Sequence, residues 1–130
     1  FEEPVMPDLI DQYAELRRSI STTAIAGGEH EYTRWGIKAL MDAGACDVLQ
    51  PDTYWAGGLS ELFKICVLAS AYDLPVIPHG HSVPANVHLL AAFPEFGTFA
   101  AIDVPSRTVL ASSYIEGLTA LETSHAPITK

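Results

Sequence analysis

Short apolar runs alternate along this chain with longer segments in which apolar residues recur every three or four positions. The short runs predict buried strands and the longer segments predict amphipathic helices. The predicted strands lie at residues 1–4, 23–26, 46–50 and 76–78. The predicted helices begin near residues 8, 32, 59 and 83. This alternation is typical of an α/β fold with a parallel sheet and right-handed crossovers.

Local signals mark the ends and the inner faces of the predicted helices. Asp8 is expected to cap the first helix, Gly44 to end the second and Pro84 to occupy the first turn of the last. The apolar positions expected to face inward are Leu9, Tyr13, Leu16 and Ile20 in the first helix, Tyr32, Trp35, Ala39, Leu40 and Ala43 in the second, and Leu59, Leu62, Phe63, Cys66 and Val67 in the third.

The pattern weakens after about residue 95. One more strand is conceivable at 99–104, whereas residues 105–130 show neither a helical nor an alternating period. We therefore expect residues 1–95 to form one structural unit and residues 96–130 to be a divergent tail. The chain begins at what looks like the end of a strand, which suggests a part of a longer protein.

The composition narrows the possible functions. Of the 130 residues, 48% are hydrophobic and 18% are charged, which is enough apolar material to bury a core. The formal net charge is −9, because 16 acidic residues oppose 7 basic ones. This acidity argues against nucleic acid and against an anionic membrane surface as partners.

The two cysteines, Cys46 and Cys66, lie in apolar runs and form no Cys-x-x-Cys motif. We expect both to be buried free thiols, which fits a reducing compartment such as the cytoplasm. No apolar run reaches the roughly 18–20 residues that span a bilayer, so no transmembrane helix is predicted.

Four polar residues follow the predicted strands directly. Glu2, Glu29, Asp52 and His79 are separated by 27, 23 and 27 residues. Each interval is about one strand–helix unit of a (β/α)8 barrel, in which eight units take ~250 residues. Parallel barrel strands end on one face, so these side chains are expected to converge there.

The four residue types suit one kind of chemistry. Two carboxylates at neighbouring strand ends, Glu2 and Glu29, make a hard-oxygen site suited to Mg²⁺. Asp52 beside His79 makes an oriented base, because a carboxylate that accepts one ring N–H leaves the other nitrogen to exchange protons with a substrate.

Each residue also has an ordinary structural interpretation. Glu2 fits an exposed strand end, Glu29 fits the acidic start of a helix, and Asp52 after a proline fits a turn. A single histidine such as His79 is most often a hydrogen-bonded core residue. Only the regular spacing of all four favours a shared site.

Two further histidines carry less specific signals. His79 and His81 have the spacing of two zinc ligands on one strand, as in metal-dependent hydrolases, but that site needs further partners. His30 directly follows Glu29, so it faces either the same site or the solvent.

At these residues the sequence resembles the enolase superfamily. The resemblance rests on Glu2-Glu3-Pro4, GEHEYTRWG at 28–36, QPD at 50–52 and PHGHS at 78–82. Within the mandelate racemase branch, the motifs are most similar to the acid-sugar dehydratases, above all to the L-rhamnonate dehydratase group. The resemblance covers residues 1–95 and implies the second half of a (β/α)8 (TIM-like) barrel.

The resemblance also implies a role for each residue. Glu2 and Glu29 would bind Mg²⁺, His79 would be the catalytic acid/base, Asp52 its dyad partner, and His30 a substrate-binding residue. The implied reaction removes the proton beside the carboxylate of a sugar acid and then eliminates water, in a cytoplasmic enzyme that forms a homo-oligomer at full length. A racemase or epimerase of the same branch, and a catalytically inactive fragment, remain as alternatives.

Overall fold

The computed structural model describes residues 1–80 and 84–92. Six elements follow one another: α1 (Ile10–Ser19), β1 (Ala26–Gly27), α2 (Thr33–Ala43), β2 (Val48–Leu49), α3 (Leu59–Ser70) and α4 (Pro84–Ala92). The possible strand at 99–104, the tail from 96 to 130 and His81 lie outside the described residues. The alternation of strands and helices expected from the sequence is confirmed for the described part.

The sheet is parallel and follows chain order. Strand β1 pairs with β2, with Ala26 opposite Val48. Parallel bridges extend it on both sides, from Glu2 to Ala26 and from Leu49 to Val76. Four successive segments, each separated from the next by a helix, therefore run side by side in one direction, and their carboxyl ends lie on one edge.

The core lies between this sheet and the helices. Ile25, Leu49 and Val76 from the strand segments and Ile37 and Leu62 from α2 and α3 are fully buried. Burying a side chain of this size stabilises a fold by roughly 1.5–3 kcal/mol. These contacts hold the strands, and thus the side chains at their ends, in a fixed relation.

Of the three expected helix-end signals, Gly44 and Pro84 are confirmed, Pro84 as the first residue of α4, and Asp8 is wrong. Gly44 ends α2 in the left-handed conformation, with φ 61° and ψ 41°, and its N–H donates hydrogen bonds to two carbonyls in the last turn of the helix. Asp8 does not cap α1, because Leu9 precedes the first helical residue and no side chain caps it. Asp8 instead lies in a turn that is closed by a hydrogen bond from the Leu9 N–H to the Met6 carbonyl, and the helix begins only after this turn.

The inner face of α3 differs from the expected one. Leu62 and Cys66 are buried together with Ile65 and Ala69, but Leu59, Phe63 and Val67 are 42–50% exposed. Helix α3 is so rich in apolar residues that its spacing fits two faces, and only packing on the sheet selects one. On α2, likewise, the buried residues are Ile37, Leu40 and Met41, whereas the expected inner positions Tyr32, Trp35 and Ala39 are exposed, as is Leu9 before α1.

Cys46 and Cys66 are both buried and free, as the sequence predicted. Burial, followed by the nearby Asp47 carboxylate, raises the pKa of the Cys46 thiol to about 12. None of the helices in the described residues is both long enough and apolar enough to cross a membrane.

Candidate active site at the strand ends

Gly28 allows the chain to leave β1 toward the site. Its φ of 109° lies in the left-handed region, and a Cβ placed there would be only 3.0 Å from Ile37 Cδ1. The Gly28 carbonyl then accepts the Glu31 N–H at 3.2 Å, which closes a turn. Glu29 lies inside this turn, with its side chain 20% exposed. A glycine is needed here both for the backbone conformation and for the close packing of α2.

Asp52 and His79 lie opposite each other on neighbouring strand ends. A parallel bridge joins the two residues, and the His79 N–H donates to the Pro51 carbonyl at 3.0 Å. The imidazole Nδ1 of His79 is 3.2 Å from Asp52 Oδ2. The structure thus brings together the two residues expected to form the dyad.

The other carboxylate oxygen of Asp52 has a structural task. Oδ1 accepts the N–H of Tyr54 at 2.7 Å and that of Trp55 at 3.0 Å. Burial is the largest single effect on the pKa of Asp52 and acts to raise it, but these hydrogen bonds and the one from His79 lower the pKa below its usual value overall. The turn interpretation therefore applies to Oδ1, while Oδ2 makes the contact that the dyad hypothesis requires.

Glu29 faces the opposite side of the same imidazole. Its Oε2 is 3.2 Å from His79 Nε2, while Oε1 is 3.8 Å from Nδ1 of His30. His79 therefore lies between two carboxylates, and its side chain remains 42% exposed. A partly exposed ring that is fixed on one nitrogen by Asp52 has the arrangement required of a proton-transfer group.

His30 lies in the same cluster. Its Nδ1 is 2.9 Å from Glu3 Oε1, and its ring is perpendicular to that of Trp55 with centroids 5.4 Å apart. The hydrogen bond with Glu3 raises the pKa of His30, while burial acts in the opposite direction. Ligand atoms of Glu3, Glu29 and His30 lie within 4.8 Å of one another.

Glu2 lies beside this group rather than within it. Its Oε1 accepts a hydrogen bond at 3.2 Å from Nε2 of Gln50, a fully buried residue at the end of β2. Within residues 1–80 and 84–92, the group able to hold a metal contains Glu3 in place of Glu2. A ligand role for Glu2 remains a prediction from the sequence.

The carboxylates at these strand ends fit a hard divalent cation by their chemistry, although the ligand atoms that lie close together are those of Glu3, Glu29 and His30. Glu2 and Glu29 present carboxylate oxygens at neighbouring strand ends, the kind of ligand that Mg²⁺ prefers. In the described part of the chain, Gln50 Oε1 is the buried side-chain oxygen without a hydrogen-bond partner, and it belongs to the amide that binds Glu2. An oxygen of this kind next to a carboxylate is compatible with a cation or its water shell.

Sequence reasoning missed Glu3, Gln50, Thr53 and Asn86. Glu3 is adjacent to Glu2, and strand alternation would send it to the other face, but its φ of 42° breaks that alternation. A polar residue at the end of an apolar strand was a usable signal for Gln50. Nothing in the local pattern marks Asn86, which reaches the site from α4.

A comparison with protein families places most of the chain in one of them. The sequence profile described as enolase C-terminal domain-like matches residues 1–128. Among curated proteins, an L-rhamnonate dehydratase from Saccharopolyspora erythraea is 48% identical over 83 residues. These residues are 63% of this chain and 21% of that protein, so the chain spans about a fifth of its relative.

Solved structures give the same result. The rhamnonate dehydratase from Gibberella zeae complexed with Mg is 45% identical with a TM-score of 0.62, covering 67% of this chain and 21% of that one. The 3,6-anhydro-D-galactonate cycloisomerase from Zobellia galactanivorans is 38% identical with a TM-score of 0.64, covering 74% and 27%. A mandelate racemase/muconate lactonizing enzyme from Sulfitobacter sp. is 33% identical with a TM-score of 0.66, covering 71% and 24%.

Proposed function

The chain belongs to the enolase C-terminal domain-like family, and from this premise we propose that the whole protein dehydrates a sugar acid after abstracting the proton beside the substrate carboxylate. The observation that carries the proposal is the 3.2 Å contact between His79 Nδ1 and Asp52 Oδ2. The dehydratases among the relatives support the reaction type.

His79 is the proposed acid/base, and Asp52 orients it. The Asp52 carboxylate accepts the N–H on Nδ1, which leaves Nε2 to take the substrate proton and stabilises the positive charge that then develops on the ring. Asp52 is itself held by two backbone N–H groups on Oδ1, so its position does not depend on the histidine. In a substrate complex, Nε2 would exchange its contact with Glu29 for one with the substrate.

Glu2 and Glu29 are the proposed Mg²⁺ ligands of this chain, with further ligands from outside it. A bound Mg²⁺ would supply positive charge beside the substrate carboxylate, where negative charge develops when the α-proton leaves. Glu3 offers a carboxylate next to the pair and holds His30, the proposed substrate-binding residue. Trp55 supports the same imidazole from its edge, so His30 is fixed on two sides.

The proposed reaction balances without an external reagent. His79 takes the α-proton, and the electron pair left behind expels the β-hydroxyl group. The protonated imidazole returns its proton to the leaving oxygen, which departs as water, and the remaining enol becomes a 2-keto-3-deoxy sugar acid. One residue therefore serves as base and then as acid.

Racemisation or epimerisation is the second candidate. The relative from Sulfitobacter sp., described as a mandelate racemase/muconate lactonizing enzyme, favours it, at 33% identity over 71% of this chain. Both reactions begin with the same proton abstraction. They diverge afterwards, because racemisation requires a second base on the opposite face of the substrate, and we expect that base to come from outside this chain.

The 130-residue chain by itself is expected to be inactive. It spans about a fifth of the dehydratase it matches, and His79, Asp52, Glu2 and Glu29 make up only part of a site. The measurement is the release of 2-keto-3-deoxy product from a panel of sugar acids with Mg²⁺. Clear turnover by the purified chain would contradict this expectation.

A segment exchange tests the proposed activity. Residues 1–92 of this chain replace the corresponding part of the Saccharopolyspora erythraea enzyme, and exchange of the substrate α-proton with D₂O is followed for L-rhamnonate and other sugar acids. We expect exchange and dehydration in the hybrid, and neither in its His79→Asn variant. A hybrid that folds and assembles like its host but exchanges no α-proton would refute the proposal.

A further inference from the structure

The amide of Asn86 joins the segments that carry the dyad. Asn86 lies on α4 and is 4% exposed, and Thr53, its partner across the site, is 2% exposed. The Thr53 hydroxyl donates to Asn86 Oδ1. The amide nitrogen of Asn86 donates to the His79 carbonyl at 3.0 Å and to the Gly80 carbonyl at 2.8 Å.

These three hydrogen bonds use the acceptor oxygen and both N–H donors of the Asn86 amide. The oxygen accepts once, and both hydrogens of the nitrogen are donated. Gly80 has a φ of 87°, so the chain turns sharply directly after His79. That turn aims two successive carbonyls at one point, where they need a double donor. Aspartate has no such donor, and alanine would leave both carbonyls without it.

The hydrogen bonds of Asn86 add to those that strand pairing gives to the backbone of His79. The His79 N–H is already bound to the Pro51 carbonyl, and Asn86 binds the carbonyl of the same residue. Thr53 directly follows Asp52 in the chain, so the amide also connects to the segment that carries the carboxylate. The hydrogen bonds of Asn86 thus connect the backbone of His79 to the segment that contains Asp52.

We propose that Asn86 is a positioning residue that sets the His79 imidazole against Asp52. This inference rests on the proposed function, since the dyad matters only if it moves a proton. The hydrogen bonds given for Asn86 go to two backbone carbonyls and to the Thr53 hydroxyl, so the proposed action on the imidazole runs through the backbone of His79. Its loss should turn the ring away from Asp52 while the sheet and the helices remain in place.

The test is solid-state NMR of the sedimented full 130-residue chain labelled with ¹⁵N-histidine, which does not depend on its association state. Five histidines contribute, and subtraction of the His79→Asn spectrum identifies the signals of interest. In buffer alkaline enough to keep the ring neutral, the fraction protonated on Nδ1 reports the contact with Asp52 relative to the contact between Nε2 and Glu29. We expect this fraction to fall in Asn86→Ala and Asn86→Asp toward that of free histidine.

Leu89→Ala is the matched control. Leu89 lies on the same helix and is 2% exposed, but it belongs to the apolar core rather than to the hydrogen-bond network. It should lower the urea midpoint at least as much as Asn86→Ala and leave the Nδ1-protonated fraction unchanged. If Leu89→Ala moves that fraction equally, the effect of Asn86 is general loss of stability, and the inference is wrong.

Two more comparisons make every outcome decisive. Asp52→Asn must itself lower the Nδ1-protonated fraction, and if it does not, the dyad and the proposed function fail together. If Asp52→Asn lowers it and both Asn86 variants do not, only the positioning role fails. Should the Asn86 variants not fold, Thr53→Val against Thr53→Ser decides: the inference requires loss of the signal in the first and retention in the second.

Discussion

Asp52 offers a way to separate its two roles by a pair of substitutions. Its Oδ1 accepts two backbone N–H groups, and its Oδ2 faces the imidazole of His79. Asp52→Ala removes both functions. Asp52→Asn keeps a carbonyl oxygen for the backbone and places an NH₂ group opposite the ring, so it disturbs mainly the dyad.

The expected stability losses differ accordingly. Asp52→Ala leaves the N–H groups of Tyr54 and Trp55 without their acceptor, and at about 1 kcal/mol for each hydrogen bond, or more with a charged acceptor, the unfolding free energy should fall by about 2–3 kcal/mol. Asp52→Asn loses only the assistance of the charge, about 1 kcal/mol or less. Equilibrium urea unfolding followed by tryptophan fluorescence measures both values.

The expected effects of substitutions on the rate of α-proton exchange do not parallel their expected effects on the unfolding free energy. In the segment-exchange hybrid, Asp52→Asn should slow α-proton exchange on the order of 100-fold or more, because the amide favours the wrong ring tautomer. Leu89→Ala, which lowers stability in the apolar core, should leave the rate nearly unchanged. Equal stability losses in Asp52→Asn and Asp52→Ala would refute the role of Oδ1 in the turn. An unimpaired exchange rate in Asp52→Asn would refute the proposed pairing of Asp52 with His79.

Three other predictions concern single positions. Gly28→Ala should lower the unfolding free energy by roughly 1–3 kcal/mol and by more than Gly57→Ala, since both have a φ of 109° but only the first meets a side chain within 3.4 Å; equal urea midpoints would contradict this. The hydrogen bond from the Arg34 backbone lowers the pKa of Glu61, so the ionised Glu61 stabilises the fold above the usual carboxyl pKa, and this stabilisation is lost as the pH falls through the lowered pKa. The urea midpoint of Glu61→Gln should therefore decline less toward acid pH than that of the unchanged chain. Identical pH profiles for the two proteins would contradict this prediction. Cys46 should not react with a thiol reagent at pH 8 until urea unfolds the chain, because burial raises its pKa to about 12; rapid native labelling would be inconsistent with the described core.

Strand ends were predictable from the sequence because they combine two independent signals. A short apolar run ends and a polar residue follows, and the same event recurs at the length of one strand–helix unit, as at Asp52 and His79. Parallel pairing then requires the side chains to meet, and the 3.2 Å contact confirms that these two do.

Features that depend on packing were not predictable in the same way. Helix α3 is apolar on more than one side, so the expected inner positions Phe63 and Val67 are exposed, and the sheet selected Ile65 and Ala69 instead. The unusual backbone of Glu3 and the long-range reach of Asn86 arise from tertiary structure, which leaves no period in the sequence.

The residues proposed to transfer the proton lie in one continuous stretch of the sequence. From Glu29 to Asn86 the chain contains the two carboxylates on either side of His79 and the amide that ties its backbone. A single crossover between two related genes would therefore transfer this machinery intact. Recombination could attach the proposed acid–base residues to new substrate-recognising regions without changing them one position at a time.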